Sequence, residues 1–388
     1  MFDVAIAGAR CAGAPLAMLL ARRGHRVLLV DRDRFPSDAL STHVIKIPGA
    51  ARLKRWGLLD RVVATNCPPI RRITFDAGPF ALTGTAPAVD EVTADYSPRR
   101  ILLDQLLIDA ATAAGVDFRE RFRVESLLAD GGVVCGLTGR TSAGTVVTER
   151  ARVVVGADGL RSTVAQQVSA QERHARGRLT CAYYTYWNNV PIDGAEMYAR
   201  EGNAIIAFPT NDNLTCVLVQ WPASSFEEVR LDIEARYLEA LRRAPALFER
   251  VAGATRDDRF YGSGDLPNFF REAAGRGWAL AGDAACHRDP ITAQGMTDAF
   301  RDADLLAEAI DAGLSGRGAM ATALAGYQEQ READGLPMYE LTCQLAALQP
   351  PPPSLASYLA SIQENQEAID RFIGVIVGTV PVAELASR

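Results

Sequence analysis

Gly282-Asp283-Ala284-Ala285-Cys286-His287-Arg288-Asp289-Pro290-Ile291-Thr292-Ala293-Gln294-Gly295 follows a short apolar run, Trp278 to Ala281, and precedes a helical pattern from Met296 to Ile310. The run reads as a strand that delivers an aspartate into a loop. The loop then opens a helix, with Pro290 and Gly295 at its mouth. An aspartate in that place can accept hydrogen bonds from sugar hydroxyls, and the free N–H groups of a helix start favour negative charge. The stretch therefore suits a phosphorylated cofactor. Read alone, Asp283 is also consistent with a plain helix cap.

The N-terminus supplies a second such turn. Asp3 to Ala7 is strand-like, Gly8-Ala9-Arg10-Cys11-Ala12-Gly13 leads into a helix from Pro15 to Arg23, and a strand from Arg26 to Val30 ends in Asp31-Arg32. Strand, glycine turn, helix, strand and a terminal acid about 20 residues on make the βαβ dinucleotide fingerprint. Gly8 permits the tight turn, Gly13 lets helix and strand pack closely, and Asp31 is placed for an adenosine ribose. Arg10 stands where a middle glycine usually admits the pyrophosphate. Its guanidinium either reaches a phosphate, covers the cofactor or weakens the site.

A third turn, Gly156-Ala157-Asp158-Gly159, ends the apolar strand Val153-Val154-Val155; by itself it is an ordinary turn pair. The three segments in this order and at these separations resemble the flavoprotein monooxygenase superfamily typified by p-hydroxybenzoate hydroxylase. That superfamily includes geranylgeranyl reductases and flavin-dependent halogenases. The resemblance covers about residues 1 to 315. Arg100, four residues before Asp104, matches the arginine that opens a helix and contacts FAD in these proteins.

The resemblance implies an α/β fold: a Rossmann-type FAD-binding domain interleaved with an antiparallel-sheet substrate domain and a helical C-terminal region. The expected boundaries are 1–66, 99–176 and 268–320 for the first, 67–98 and 177–267 for the second, and 321–388 for the third. It further implies FAD held by Gly8, Ala9, Arg10, Cys11, Ala12, Gly13, Asp31, Arg32, Arg100, Asp158, Gly282, Asp283, Pro290, Gly295 and Met296. NAD(P)H would be the electron donor. No second Rossmann motif is present, so the donor binds transiently or a separate reductase supplies reduced flavin. The expected reaction is hydroxylation or epoxidation of a small aromatic or polyketide-like substrate with O2, through a flavin hydroperoxide. The segment Gln294-Gly295-Met296 favours the monooxygenase form of this loop. Reduction of isoprenoid double bonds is the alternative, kept open by Cys11 and Cys286. A halogenase fits less well, because Tyr186-Trp187-Asn188-Asn189-Val190-Pro191 carries Tyr and Asn at the two Trp positions of Trp-x-Trp-x-Ile-Pro. A FAD-binding relative without catalysis is motivated by Arg10.

The catalytic candidates are His43, in a segment that crosses near the flavin ring in the family, and His287, beside the Asp283 loop. Each is balanced by a plain structural role in its loop. Tyr184, Tyr186, Trp187 and Trp221 have sheet spacing, and alternation sends only half of them toward a cavity.

Composition limits the other classes. A net charge of −6 and the lack of a basic stripe argue against a nucleic-acid partner. Seven dispersed cysteines with no Cys-x-x-Cys pair read as reduced thiols in a cytoplasmic protein. No signal peptide is expected, and no apolar run reaches the ~18 residues of a membrane span. No spacing suggests a metal site. Phe226 to Val251 reads as helical, and the chain is helical again after Leu314, broken at Pro350 to Pro353. That last region is expected to lid the chamber or to make a homodimer contact.

Overall fold

A computed structural model describes residues 1–386. At its centre lies a parallel sheet in which Trp278–Leu280, Val146–Gly156, Phe2–Ala7, Val27–Val30 and Asp117–Arg119 follow one another in space. Val4 to Ala7 and Val27 to Val30 are buried on both faces, as a parallel sheet covered by helices requires. The helix Gly13–Arg22 connects the first two strands and packs with Arg100–Ala113 and Gly295–Leu314.

The two apolar stretches on either side of Arg150 form one strand rather than two. Its first half pairs antiparallel with Val133–Arg140, and its second half joins the parallel sheet beside Phe2–Ala7. Eleven residues thus serve two partners and carry the chain from the edge hairpin into the core.

The second large sheet contains Thr180–Asn188, Leu214–Pro222, Asn203–Pro209, Ala195–Arg200, Ile73–Asp76 and Ala81–Gly84 in that spatial order. It departs from a purely antiparallel wall at one seam. Ala195 pairs with Ile73 in a parallel register, because these strands come from separate stretches of the chain and are not joined by a hairpin. The register settles which side chains face where. Ala182, Tyr184, Tyr186, Ile206, Phe208 and Leu218 join the main core, whereas Cys181, Tyr183, Trp187, Val219 and Trp221 face the other way. Alternation therefore gives the two tyrosines to the side of the main core and the two tryptophans to the outer side.

Helices between Phe226 and Ala252 cover the outer face. The helical stretch expected over Phe226 to Val251 is divided into three helices, Phe226–Leu231, Ile233–Leu241 and Pro245–Ala252. Asp232 leaves helical geometry and accepts a hydrogen bond from Ala235 N–H as a cap, and Pro245 starts the last piece. Tyr237 anchors them, donating to the Val217 carbonyl at 3.0 Å and accepting from the Trp187 indole at 3.2 Å.

The C-terminal part contains the 27-residue helix Met320–Ala346 and, after the Pro350–Pro353 break, Pro353–Ser361 and Gln366–Val377. The last of these lies on the strand Ala81–Gly84 at the edge of the second sheet. Phe372 meets Phe75 edge-on, and Asp370 accepts from Thr85 N–H at 2.8 Å. No helix among the described residues is long and apolar enough to cross a membrane.

Candidate functional site

The three turns meet. A Cβ on Gly8, whose φ is +100°, would fall 2.2 Å from the Ala157 carbonyl oxygen, and one on Gly13 would fall 1.8 Å from the Gly8 carbonyl oxygen. Only glycine permits that approach. The third turn closes on the same place, since a Cβ on Gly282 would lie 2.9 Å from Ala12 Cβ.

Beside the first turn lies a compact charge cluster. Asp104, fully buried, receives Arg10 Nη1 at 2.5 Å and Arg100 Nε and Nη2 at 3.0 Å each. Arg10 also binds Asp33 at 3.0 Å and the Ser37 hydroxyl at 3.0 Å, and it covers the Phe35 ring. Arg10 thus ties the turn to the Asp33–Ser37 segment and to the helix Arg100–Ala113. The two guanidinium groups, balanced by Asp104 and Asp33, place N–H donors next to the first helix start, which suits a pyrophosphate. Cys11 Sγ donates weakly to Asp104 Oδ1 at 3.5 Å, and burial pushes its thiol up to about 12. Cys286 is likewise pushed up by burial, so neither sulfur is a ready thiolate.

The acids of the three turns differ in their engagements. Asp31 holds its own surroundings, accepting from Ala9 N–H at 2.7 Å and Asp33 N–H at 2.8 Å, while Arg32 is exposed. Asp158 accepts from the Ser162 hydroxyl at 2.5 Å and Thr163 N–H at 2.7 Å, so its carboxylate caps the short helix that follows. Asp283 is exposed and lines the cleft, and it is Asp289, not Asp283, that caps the turn at Pro290.

The cleft is open and encloses about 770 Å³ of empty space, part of it continuous with solvent. One wall is Leu40 to Val44; another is Ala182, Tyr184 and Leu218 of the second sheet. The third wall runs from Asp283 through His287, Arg288 and Pro290 to Gly295 and Met296, where the helix Gly295–Leu314 begins. No atom lies within 4 Å of where a Gly295 Cβ would stand, so the helix start opens onto space. Behind the cleft, and sharing Thr42, Val44, Leu218, Pro290 and Ala293 with it, is a narrow gap with room for about one water molecule. Its lining is apolar apart from Thr42, Thr292 and Lys46.

His43 is fully enclosed, with both ring nitrogens engaged. Nδ1 faces the Ser97 carbonyl at 3.1 Å and Nε2 faces the Tyr186 hydroxyl at 2.9 Å. A carbonyl can only accept, so Nδ1 carries the hydrogen and Nε2 accepts from Tyr186. Burial, reinforced by the nearby Arg99 guanidinium, pushes the imidazole down to about 3, so the ring is neutral near pH 7. His287 donates from Nδ1 to the Pro267 carbonyl and stacks beside Phe269, with its ring edge on the cleft.

Sequence reasoning did not reach two members of this region. Asp289, buried, accepts from the Thr180 hydroxyl at 2.5 Å and Gln220 Nε2 at 2.8 Å, and its N–H donates to Asn268 Oδ1 at 2.7 Å. It fastens the Pro290 loop to the second sheet. Lys46, also buried, lies 3.1 Å from Asp95. The Asp289-Pro290 pair was a legible turn signal, but its partners lie 109 and 69 residues away. Among the described residues no group of three His, Cys, Asp or Glu side chains is placed to hold a metal.

Strand-to-helix turns gathered beside a sheet-walled chamber define a dinucleotide-binding redox scaffold. The chain belongs to the FAD binding domain family, whose model matches residues 1–339, within the FAD-dependent monooxygenase superfamily. It is 30% identical over 354 residues to kynurenine 3-monooxygenase of Salinispora arenicola, covering 85% of this chain and 76% of that protein. It is 26% identical over 317 residues to digeranylgeranylglycerophospholipid reductase 1 of Methanococcoides burtonii, covering 79% of this chain and 73% of that protein. The fold superposes with a TM-score of 0.81 on the myxobacterial chondrochloren halogenase CndH, at 26% identity over 94% of this chain and 91% of that one. The residues present fit FAD: glycines where backbones nearly touch, guanidinium donors at the first helix start, and an open carboxylate at Asp283.

Proposed function

We propose that this protein is an FAD-dependent monooxygenase that hydroxylates or epoxidises a small aromatic or polyketide-like substrate, taking electrons from NAD(P)H. The observation that carries this reading is the open cleft between the second sheet and the Asp283–Met296 loop, backed by the apolar side chains behind Pro290. When bound, FAD supplies the redox chemistry and the activation of O2.

The protein's own residues supply placement and exclusion. Arg10 and Arg100 receive the pyrophosphate, Asp31 and Arg32 the adenosine end, and Asp283 the ribityl chain. The start of the helix at Gly295 and Met296 presents N–H groups to the electron-rich edge of the ring and favours negative charge there. Ile73, Met197, Ile206, Phe208 and Ile291 keep water from the reacting carbon. His43, held neutral, orients the Tyr186 hydroxyl. His287 presents its ring to the cleft for proton exchange.

The test is turnover by the flavin-loaded protein with NADH or NADPH, O2 and a panel of phenols and aryl ketones. The expected outcome is substrate-stimulated consumption of NAD(P)H and O2, with oxygen from labelled O2 in the product. A second reading, isoprenoid double-bond reduction, draws on the same apolar lining and on the 26% identical reductase. Saturation of an isoprenoid alkene without O2 uptake would replace the first reading by the second.

A further inference from the structure

Along the first turns of the helix Gly295–Leu314, three arginines and two aspartates alternate in one row. Arg288 Nη2 lies 2.6 Å from Asp298 Oδ2, and Arg301 Nη1 lies 2.9 Å from Asp298 Oδ1. Arg301 Nη2 then lies 3.6 Å from Asp302 Oδ1, and Asp302 Oδ2 accepts from Arg331 Nε at 2.9 Å. The row is fastened to the Asp283 turn, because Asp302 Oδ2 also accepts from Gly282 N–H at 3.0 Å. Its other end reaches the cleft wall, which Arg288 shares with Gly295 and Met296.

Three guanidinium groups against two carboxylates leave the row with one positive charge in excess. Neighbouring groups do not remove it. Asp289, next in sequence to Arg288, turns instead to Thr180, Gln220 and the Ile291 N–H. Arg52 is paired with Asp304 at 3.2 Å, and Cys286 stays a neutral thiol because burial pushes it up. The Arg288 side chain is only 3% exposed, and its contact with Asp298 does not line up as a hydrogen bond. Its Nε and Nη1 are buried and meet no protein acceptor among the described residues. A Cβ on Gly335 would fall 3.4 Å from Arg301 Nη2 and 3.6 Å from Arg288 Nη2, so two like charges flank the space this glycine leaves. Stability does not explain the arrangement, since apolar side chains brace a loop against a helix at least as well as buried ions.

We propose that the row tunes the cofactor: the excess positive charge at Arg288 favours the reduced, negatively charged flavin, and Asp298 sets how much of that charge the ring feels. Reduced flavin carries its negative charge along the pyrimidine edge, which the proposed function puts at Gly295 and Met296. The inference rests on that placement and on no particular substrate. Asp298 stands in the first turn of the same helix, so a charge change there or at Arg288 acts across a short, poorly screened path and adds to or subtracts from the field of the helix start. Arg288 is thus a positioning residue for electrons, with no contact to substrate required.

The test is the reduction potential of the flavin-loaded protein, measured against a reference dye during slow chemical reduction, without substrate or NAD(P)H. Arg288→Met should move the equilibrium about tenfold toward oxidised flavin, which is about 30 mV for a two-electron couple. Asp298→Asn removes a negative charge at nearly unchanged shape and should move it about tenfold the other way. The double variant should return close to the wild type. Opposite signs mark a charge effect, whereas a loosened loop would move both variants alike. Shifts of the same sign, or none in either variant, would overturn the proposal. Glu332→Gln, beside Arg331 in sequence but bound to His174 at the surface, should shift nothing, and an equal shift there also refutes it. If Arg288→Met retains no flavin, the near-isosteric Asp298→Asn decides alone. On the unaltered protein, the absorption spectrum of the reduced flavin should stay that of the anion to about one pH unit below the point where free reduced flavin takes up its proton. Proton uptake at the free value counts against the row. A wild type that binds no flavin ends both the proposed function and this inference, while the expected shifts without turnover would end only the monooxygenase reading.

Discussion

Arg10 and Asp104, 94 residues apart in sequence, meet at 2.5 Å beneath the first glycine turn. The contact joins the mouth of the βαβ unit to a helix on the same carboxylate that Arg100 holds. Asp104→Ala leaves two guanidinium groups facing each other without their shared anion and should cost about 3–5 kcal/mol in urea unfolding. Arg10→Gly leaves Asp104 held by Arg100 and should cost about 2 kcal/mol. The reverse order would show that Arg10 is not secondary to Arg100 in this cluster.

Asp283 faces the cleft instead of the protein, so its removal should separate cofactor retention from folding. The purified Asp283→Ala protein is expected to be colourless, with apoprotein stability within about 0.5 kcal/mol of the wild type, as for surface substitutions. A yellow, active Asp283→Ala protein would show that the loop does not bind the flavin as argued.

Asp289 behaves in the opposite way. Asp289→Ala leaves the Thr180 hydroxyl and the Gln220 amide without their buried acceptor, which should cost about 3 kcal/mol or more. Asp289→Asn keeps acceptor capacity and should cost less. Equal losses in the two variants would mean that these hydrogen bonds contribute little.

His43 gives the protein a defined acid sensitivity. Its imidazole titrates near 6.5 when unfolded and is pushed down to about 3 in the fold. Between these values the unfolded chain binds the extra proton, so stability is complete above pH 6.5 and falls as pH drops toward 3, by at most about 1.4 kcal/mol per unit. His43→Phe removes this contribution, and its unfolding free energy should depend less steeply on pH across that window. Identical slopes for the two proteins would show that the ring is not held neutral.

The cofactor half was legible because its signals are local. Gly8, Asp158 and Asp283 each sit just past the end of an apolar strand run, and in the structure the three turns pack on one another. The chamber was less legible, because its walls depend on register. Tyr184 and Trp187 have similar spacing in the sequence, and only pairing with Leu214–Pro222 sends one inward and the other outward. The parallel seam between Ala195 and Ile73 has no local signature at all. Lys46 and Asp95 were overlooked for a related reason: neither lies in a motif, and the pair exists only once the strand Asp95–Tyr96 is laid against Ile45.

Gln294, next to the opening of the helix at Gly295, donates to the Ile376 carbonyl at 3.1 Å and to the Val377 carbonyl at 3.3 Å. The last turn of the helix Gln366–Val377 is thereby stitched to the residue that precedes Gly295. A deletion that looks harmless at the tail, for instance one stopping short of residue 376, would strip the Gln294 amide of its acceptors. Damage made some eighty positions downstream would then surface as slack in the loop that opens the helix at Gly295, long before the parallel sheet noticed any loss.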